Sequence, residues 1–239
     1  MDQNIAIVIP ARMDSVRLPN KPLIKFGKLP MIIRVASICA QVVDPKNVFV
    51  STPDDSIMEI CDKFGIQVVK SSVNARSGTD RVSEFATNHN FEKIINVQGD
   101  ELLLQEDTLK YFITTSESNQ NTTIGITQIS NLGEIHMSSV VKVACSNNRL
   151  IYASRAAIPF SADTKKKEFY KHTGLYMFTK KSLEQFSSLK AGNLELTENI
   201  EILRFIENRV PVETVSVSNY LFTIDTDDDV VRARLILET

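Results

Sequence analysis

The sequence predicts an α/β chain with a mostly parallel sheet flanked by helices, and three observations predict it. Short β-rich apolar runs alternate with amphipathic stretches over the first hundred positions. The first run, Ile5-Ala6-Ile7-Val8-Ile9, is continuous rather than alternating, as in a strand buried on both faces. The composition, 43% hydrophobic and 23% charged over 239 residues, suffices for a large core.

In chain order, Met31 to Val43 carries apolar residues at helical spacing, and Asn47 to Ser51 reads as the second strand. Pro53-Asp54-Asp55-Ser56 reads as the cap of a helix running to about Phe64. Ile66 to Val69 is a third strand, a helix starts near Thr79, and Lys93 to Val97 is a fourth strand. From about residue 122 the rhythm changes. Thr122 to Ile129, Val140 to Cys145, Leu150 to Ser154 and Lys171 to Thr179 read as strands with short connections. They predict a smaller β-rich section, about 122–190, inside a single domain spanning 1–239. Leu194 to Asn208 predicts one helix, with Leu196, Ile200, Leu203, Ile206 and Val210 as its apolar stripe and Pro211 as its stop. Phe222-Thr223-Ile224 reads as the last strand, and Asp225-Thr226-Asp227 as the cap of a final helix through Leu237. The run Lys165-Lys166-Lys167 predicts a solvated turn.

Several function classes drop out. Lys+Arg total 27 and Asp+Glu 29, so the chain lacks the basic excess of a protein that lives on nucleic-acid backbone. Cys39, Cys61 and Cys145 show no paired or metal-binding spacing and predict buried reduced thiols. No apolar run approaches the roughly 18 residues of a membrane helix, and the N-terminus lacks a secretory pattern. The expectation is a cytoplasmic protein with no nucleic-acid or membrane partner. His89 and His136 have no supporting neighbours and read as surface residues.

In open α/β sheets ligands bind beyond the carboxyl ends of the strands. Directly after strand one lies Pro10-Ala11-Arg12-Met13-Asp14-Ser15-Val16-Arg17-Leu18-Pro19-Asn20-Lys21, a loop with three cations and a hydroxyl. Cations gathered on one short loop repel unless an anion joins them, which suits a polyphosphate; the alternative is a solvated basic loop. Neither GxGxxG nor a P-loop motif is present. At the end of strand four lies Asn96-Val97-Gln98-Gly99-Asp100-Glu101, where a carboxylate beside a glycine suits Mg²⁺ better than a soft metal. Asp225 either shares one divalent ion with Asp100 or is a plain helix N-cap. Glu101 either supports the ion or lies exposed. His172, alone in a strand, reads from its own neighbours as structural.

Taken together, these segments resemble the cytidylyltransferases that activate 3-deoxy-manno-octulosonate (Kdo), the CMP-Kdo synthetases. The likeness runs nearly end to end: Pro10-Ala11-Arg12, Ser15, Arg17, Pro19 and Lys21-Pro22-Leu23; Ser77-Gly78-Thr79-Asp80-Arg81; Gln98-Gly99-Asp100-Glu101. It continues through Val141-Lys142-Val143, Ser154-Arg155, Ile158-Pro159, His172, Gly174 and Tyr176. It ends with Leu194-Glu195, Glu198, Glu201, Leu203-Arg204 and Asp225-Thr226.

The resemblance implies a Rossmann-like nucleotide-diphospho-sugar transferase fold with a β-rich section used for dimerisation, hence a homodimer. It implies CTP and a sugar acid as substrates, Mg²⁺ as cofactor and a place in lipopolysaccharide biosynthesis. It assigns nucleotide binding to Ala11, Arg12, Ser15, Arg17, Lys21, Ser77, Gly78, Arg81 and Gln98, and the metal to Asp100 and Asp225. Gln98, Arg155, His172, Tyr176 and Glu201 fall in the sugar-acid pocket, which moves His172 from structural residue to ligand contact. Lys21, Arg12, Asp100 and Asp225 are the catalytic set. Departures at Met13, Leu102, Thr173 and Phe222-Thr223-Ile224 leave the sugar open among Kdo, its 8-amino analogue and other ulosonic acids. Two rivals remain: a cytidylyltransferase of the same fold acting on another nonulosonic acid or a sugar or polyol phosphate, and a non-catalytic nucleotide-binding relative.

Overall fold

The computed structural model describes residues 4–15, 17–161 and 168–237; the run Lys165-Lys166-Lys167 lies outside them. In chain order its elements are β1 (Ile5–Pro10), the short hairpin β2 (Lys25–Phe26) and β3 (Leu29–Pro30), α1 (Met31–Val42), β4 (Val48–Thr52) and α2 (Asp55–Lys63). Then come β5 (Gln67–Lys70), α3 (Gly78–Asn88), β6 (Lys93–Val97), α4 (Glu106–Ser116), β7 (Thr122–Gln128), β8 (Lys142–Ser146) and β9 (Arg149–Ser154). The chain closes with β10 (Tyr170–Thr179), α5 (Lys180–Ser188), α6 (Asn193–Glu198), α7 (Leu203–Glu207), β11 (Val212–Ser216) and α8 (Asp227–Leu237).

Among the described residues one nine-stranded sheet forms in the order β5-β4-β1-β6-β10-β7-β11-β9-β8. Its pairings make β10 and β9 run against the other strands. The continuous apolar run of β1 is explained by its burial on both faces. Ile5, Ile7 and Ile9 pack with residues of α1, α2 and α4, while Ala6 and Val8 pack with α3, α5 and α7. The strands of 122–190 join this same sheet.

A third apolar cluster decides where the site lies. Leu18 of the opening loop, Phe26, Leu102 and Leu103 beyond β6, and Ile224, Val230 and Ala233 near the C-terminus pack together. Three segments remote in the chain are thereby fastened side by side at the carboxyl end of the sheet.

Several expectations are corrected. The helix predicted over 194–208 is two short helices, α6 and α7, separated by Asn199 in the left-handed region (φ 52°). Leu196 of the predicted stripe is 69% exposed. The break lets Glu198 accept from Ser154 Oγ (2.6 Å) and Arg155 N (2.9 Å), which a straight helix would turn elsewhere. Residues 222–224 form no strand; Ile224 N donates to Asp100 O (3.3 Å), which holds the segment against the loop after β6. Asp54 does not cap α2 with its side chain but accepts from Met13 N (2.8 Å), pinning the opening loop. Helices α4 and α5 have no counterpart among the elements read from the sequence. The cysteines are free, Cys39 and Cys61 buried and Cys145 half-buried. His136 is exposed, but His89 stacks on Phe85 (centroids 4.0 Å) rather than standing free at the surface. Among the described residues no helix is long and apolar enough to cross a membrane.

Candidate active site

The opening loop leaves β1 along a fixed path. Ala11 N donates to Ser51 O (3.0 Å), and the loop ends in a 3-10 turn, Lys21–Leu23, with Pro22 inside it and Asn20 left-handed before it. This places Lys21 over the tip of β6. Its ammonium donates to Asp100 Oδ2 (2.6 Å) and to Asp225 Oδ1 (3.0 Å), and Arg17 reaches the same Asp225 oxygen (3.2 Å). Burial works against the Lys21 charge, but the two carboxylates outweigh it and hold its pKa above the ordinary lysine value.

Asp225 is not the cap of α8. Thr226 and Asp229 form that cap between them, with Asp229 Oδ2 accepting from Thr226 N (2.9 Å), and this leaves the Asp225 carboxylate facing Lys21. Asp100 and Asp225 are partly buried, supply hard oxygen donors and share the Lys21 ammonium, so their placement fits a divalent ion of the Mg²⁺ kind. No group of three or more metal-binding side chains gathers among the described residues. The pair therefore suits an ion that completes its shell with substrate oxygens and water.

Glu101, expected as a neighbour of the ion or as a surface group, is buried. Its Oε1 accepts from Gly174 N and Tyr220 OH, both at 2.8 Å. Burial, with the adjacent Asp100 charge, pushes its pKa up to about 8. Gln98 N donates to Gly174 O (2.9 Å), so the loop after β6 grips Gly174 from both sides. A Cβ there would lie 2.3 Å from Glu101 Oε1. The grip coincides with a register shift in β10 between His172 and Tyr176.

A cavity of about 560 Å³ opens along these elements. Its wall includes Arg12, Arg17, Ser77, Gly78, Gln98, Asp100 and Asp225, and also Arg155, His172, Tyr176 and Glu201. Though scattered from Arg12 to Asp225 along the chain, the predicted phosphate and sugar-acid residues thus share one space. Glu201 sits at the N-terminus of α3, accepting from Thr79 N (3.0 Å) and Thr79 Oγ1 (2.7 Å), with Gln98 Nε2 at 3.4 Å. His172 Nε2 is buried with no hydrogen-bond partner, and burial lowers the ring's pKa to about 3. An orphaned ring nitrogen on a cavity wall suits a ligand hydroxyl. Burial, then Glu201, raises the Tyr176 phenol well above its ordinary value, so it stays protonated.

Four expected residues are not on the wall. Ala11 is buried with its N–H committed to Ser51, and Ser15 is half-buried within the loop. Lys21 lies with its ammonium between the two carboxylates. Arg81 is buried, with Nη1 donating to Ser77 O (3.1 Å), so it supports the start of α3 from within. Arg155 is on the wall, but three of its N–H groups serve Glu198 O, Ser138 O and Asn199 O.

Sequence reasoning missed other wall residues: Arg76, Glu134, Lys171, Tyr220 and Arg232. Lys171 and Glu134 form an ion pair there (2.6 Å). The only signal was the position of Lys171 beside His172; Glu134 and Tyr220 arrive from connections that carry no periodicity.

Residues 6–214 match a family described as cytidylyltransferase. The chain is 33% identical to an 8-amino-3,8-dideoxy-manno-octulosonate cytidylyltransferase of Shewanella pealeana, covering 98% of this chain and all of that one. It is 36% identical to a 3-deoxy-manno-octulosonate cytidylyltransferase of Acinetobacter baumannii, over 95% of each. Among solved structures it is similar to a CMP:2-keto-3-deoxy-manno-octonic acid synthetase complexed with CTP, with a TM-score of 0.91, 28% identity and 99% of each chain covered.

Proposed function

This chain belongs to the cytidylyltransferase family, and from that premise we propose that it joins CTP to the anomeric hydroxyl of a 3-deoxy-ulosonic acid. The products are the CMP-sugar and diphosphate, and the acceptor is 3-deoxy-manno-octulosonate or its 8-amino analogue, the substrates that relatives' names carry. One observation supports this above the others: a single cavity runs from loop cations and the Asp100–Asp225 pair to the uncharged hydrogen-bonding groups of His172 and Tyr176.

The acceptor hydroxyl attacks the α-phosphorus in line, and diphosphate leaves. Little covalent work falls to side chains; positioning and charge neutralisation dominate. Arg12 and Arg17 on the wall take the triphosphate, and Lys21, behind them between Asp100 and Asp225, adds its charge to offset what builds on the departing diphosphate. Ser77 and Gly78 line the part of the wall assigned to the cytidine, where a Cβ on Gly78 would crowd Gln98 Nε2 (3.1 Å). Asp100 and Asp225 would hold Mg²⁺, which when bound neutralises phosphate charge and acidifies a bound hydroxyl. His172, neutral at physiological pH, offers Nε2 to a sugar hydroxyl. Arg155 has two of its five N–H donors left for the acceptor carboxylate. We extend the same proposal to a homodimer in the cytoplasm, serving lipopolysaccharide assembly.

Diphosphate release from CTP with Mg²⁺, across Kdo, its 8-amino analogue, a sialic acid and sugar and polyol phosphates, tests the proposal. Release with 3-deoxy-manno-octulosonate or its 8-amino analogue alone is expected. Release only with a sugar or polyol phosphate, or CTP binding with no release, refutes it.

A further inference from the structure

Lys142 opens β8, is fully buried, and carries out no step in the reaction above. Its three N–H groups go to three backbone carbonyls: Met137 O (2.8 Å), Val140 O (2.8 Å) and Arg155 O (2.5 Å). A lysine has three N–H donors only when charged, so the arrangement needs the ammonium form. A buried ammonium bonded solely to neutral carbonyls is costly compared with a well-packed apolar side chain. Filling core volume does not explain it. What the carbonyls belong to does.

Met137 and Val140 lie on the irregular segment 137–141, which has no ladder of its own until β8 begins. Met137, Ser139, Val140 and Val141 line the cavity, as does Arg155. Val141 O accepts from His172 N (2.9 Å), and Ser138 O accepts from Arg155 Nη1 (2.9 Å). The ammonium and the guanidinium therefore take alternating carbonyls of one short wall and tie it to the chain at residue 155. Removing the ammonium takes away a donor from three converging carbonyls, of which Met137 O keeps only its bond from Val140 N (3.2 Å), and the wall opens to rehydrate them.

We propose that Lys142 is a positioning residue for the acceptor end of the cavity, its ammonium gathering three carbonyls so that the 137–141 wall and Arg155 keep the shape that receives the sugar acid. It rests on the function proposed above for what that end binds, but the cage itself is a property of the chain alone.

The test compares wild type with Lys142→Met and Lys142→Ala in the full-length protein. CTP binding without acceptor is expected within two-fold of wild type, because the nucleotide end does not touch the cage. The KM for the ulosonic acid is expected to rise at least ten-fold, with the KM for CTP unchanged. Ethylammonium is expected to recover a large part of the loss in Lys142→Ala and to leave wild type unaffected, which a purely structural lesion would not show. An acceptor KM within two-fold of wild type in Lys142→Met overturns the proposal. If that variant does not fold, Lys142→Gln, which keeps two donors, decides in its place by the same criterion. If wild type turns over no ulosonic acid, the functional proposal fails by itself. Amide exchange then decides the cage: faster exchange at 137–141 in Lys142→Met with α3 unchanged supports it, and unchanged exchange at 137–141 overturns it.

Discussion

Lys21 and Asp225 are 204 positions apart in the chain, yet the Lys21 ammonium donates to Asp225 Oδ1 at 3.0 Å. The same ammonium donates to Asp100 Oδ2 at 2.6 Å, so one loop cation joins the two carboxylates best suited to a divalent ion. The apolar cluster of Leu18, Leu102, Leu103 and Ile224 brings them there, flanking each of the three polar groups within a few residues.

Lys21→Ala is expected to lower turnover by about 10²–10³-fold, the usual cost of losing one positioned charge at a reacting phosphate. The melting temperature should move by only a few degrees, because both carboxylates retain some exposure and can hydrate. Steady-state diphosphate release and a thermal melt check both parts. An undiminished rate removes Lys21 from the mechanism.

Chelation with EDTA is expected to abolish diphosphate release, and added Mg²⁺ to restore it. Asp100→Asn is expected to need more Mg²⁺ for half its maximal rate and to lose at least about ten-fold in that maximum. A magnesium titration of both proteins gives the comparison. Full turnover in EDTA would retire the carboxylate pair as ion ligands.

His172 has a folded-state pKa of about 3, lowered by burial from 6.5. Between these values the unfolded chain binds a proton that the folded chain does not, so stability falls as pH drops below 6.5 toward 3. From pH 7 to pH 5 the loss through this residue is about 2 kcal/mol. His172→Gln cannot take up that proton and should show a correspondingly flatter stability profile in urea melts. Parallel profiles for the two proteins would show that the ring is not held neutral.

Gly174→Ala is expected to destabilise the fold by about 1–3 kcal/mol, the range for overpacking a tight site. The new methyl would meet Glu101 Oε1 at 2.3 Å and Gln98 Cβ at 2.9 Å, and neither can retreat without moving the loop that carries Asp100. Activity should drop with stability. Thermal melts and diphosphate release on the purified variant decide it, and wild-type values in both would show the grip on Gly174 to be slack.

Much of the architecture was readable from local pattern. The run Ile5–Ile9 reports a strand buried on both faces because each face has its own helical layer to pack against. The single helix expected over 194–208 fails because its apolar spacing persists across Asn199, while the break there serves a tertiary purpose, the bonds of Glu198 to Ser154 and Arg155. Of the two readings of Glu101, the exposed one fails for a related reason. A carboxylate after a metal-type aspartate looks solvent-bound until Gly174 and Tyr220, neither near it in sequence, supply its donors.

The sequence alone determined the alternation of strands and helices, the cationic loop after β1 and the acidic tip of β6, because each depends on residues within a few positions of one another. Only the tertiary structure decided that Asp225 turns from its helix to Lys21, that Glu101 is buried, and that Lys142 closes a ring of carbonyls. These outcomes are set by which distant segments share an apolar cluster and by what a buried charge must find there, and neither is written in local spacing.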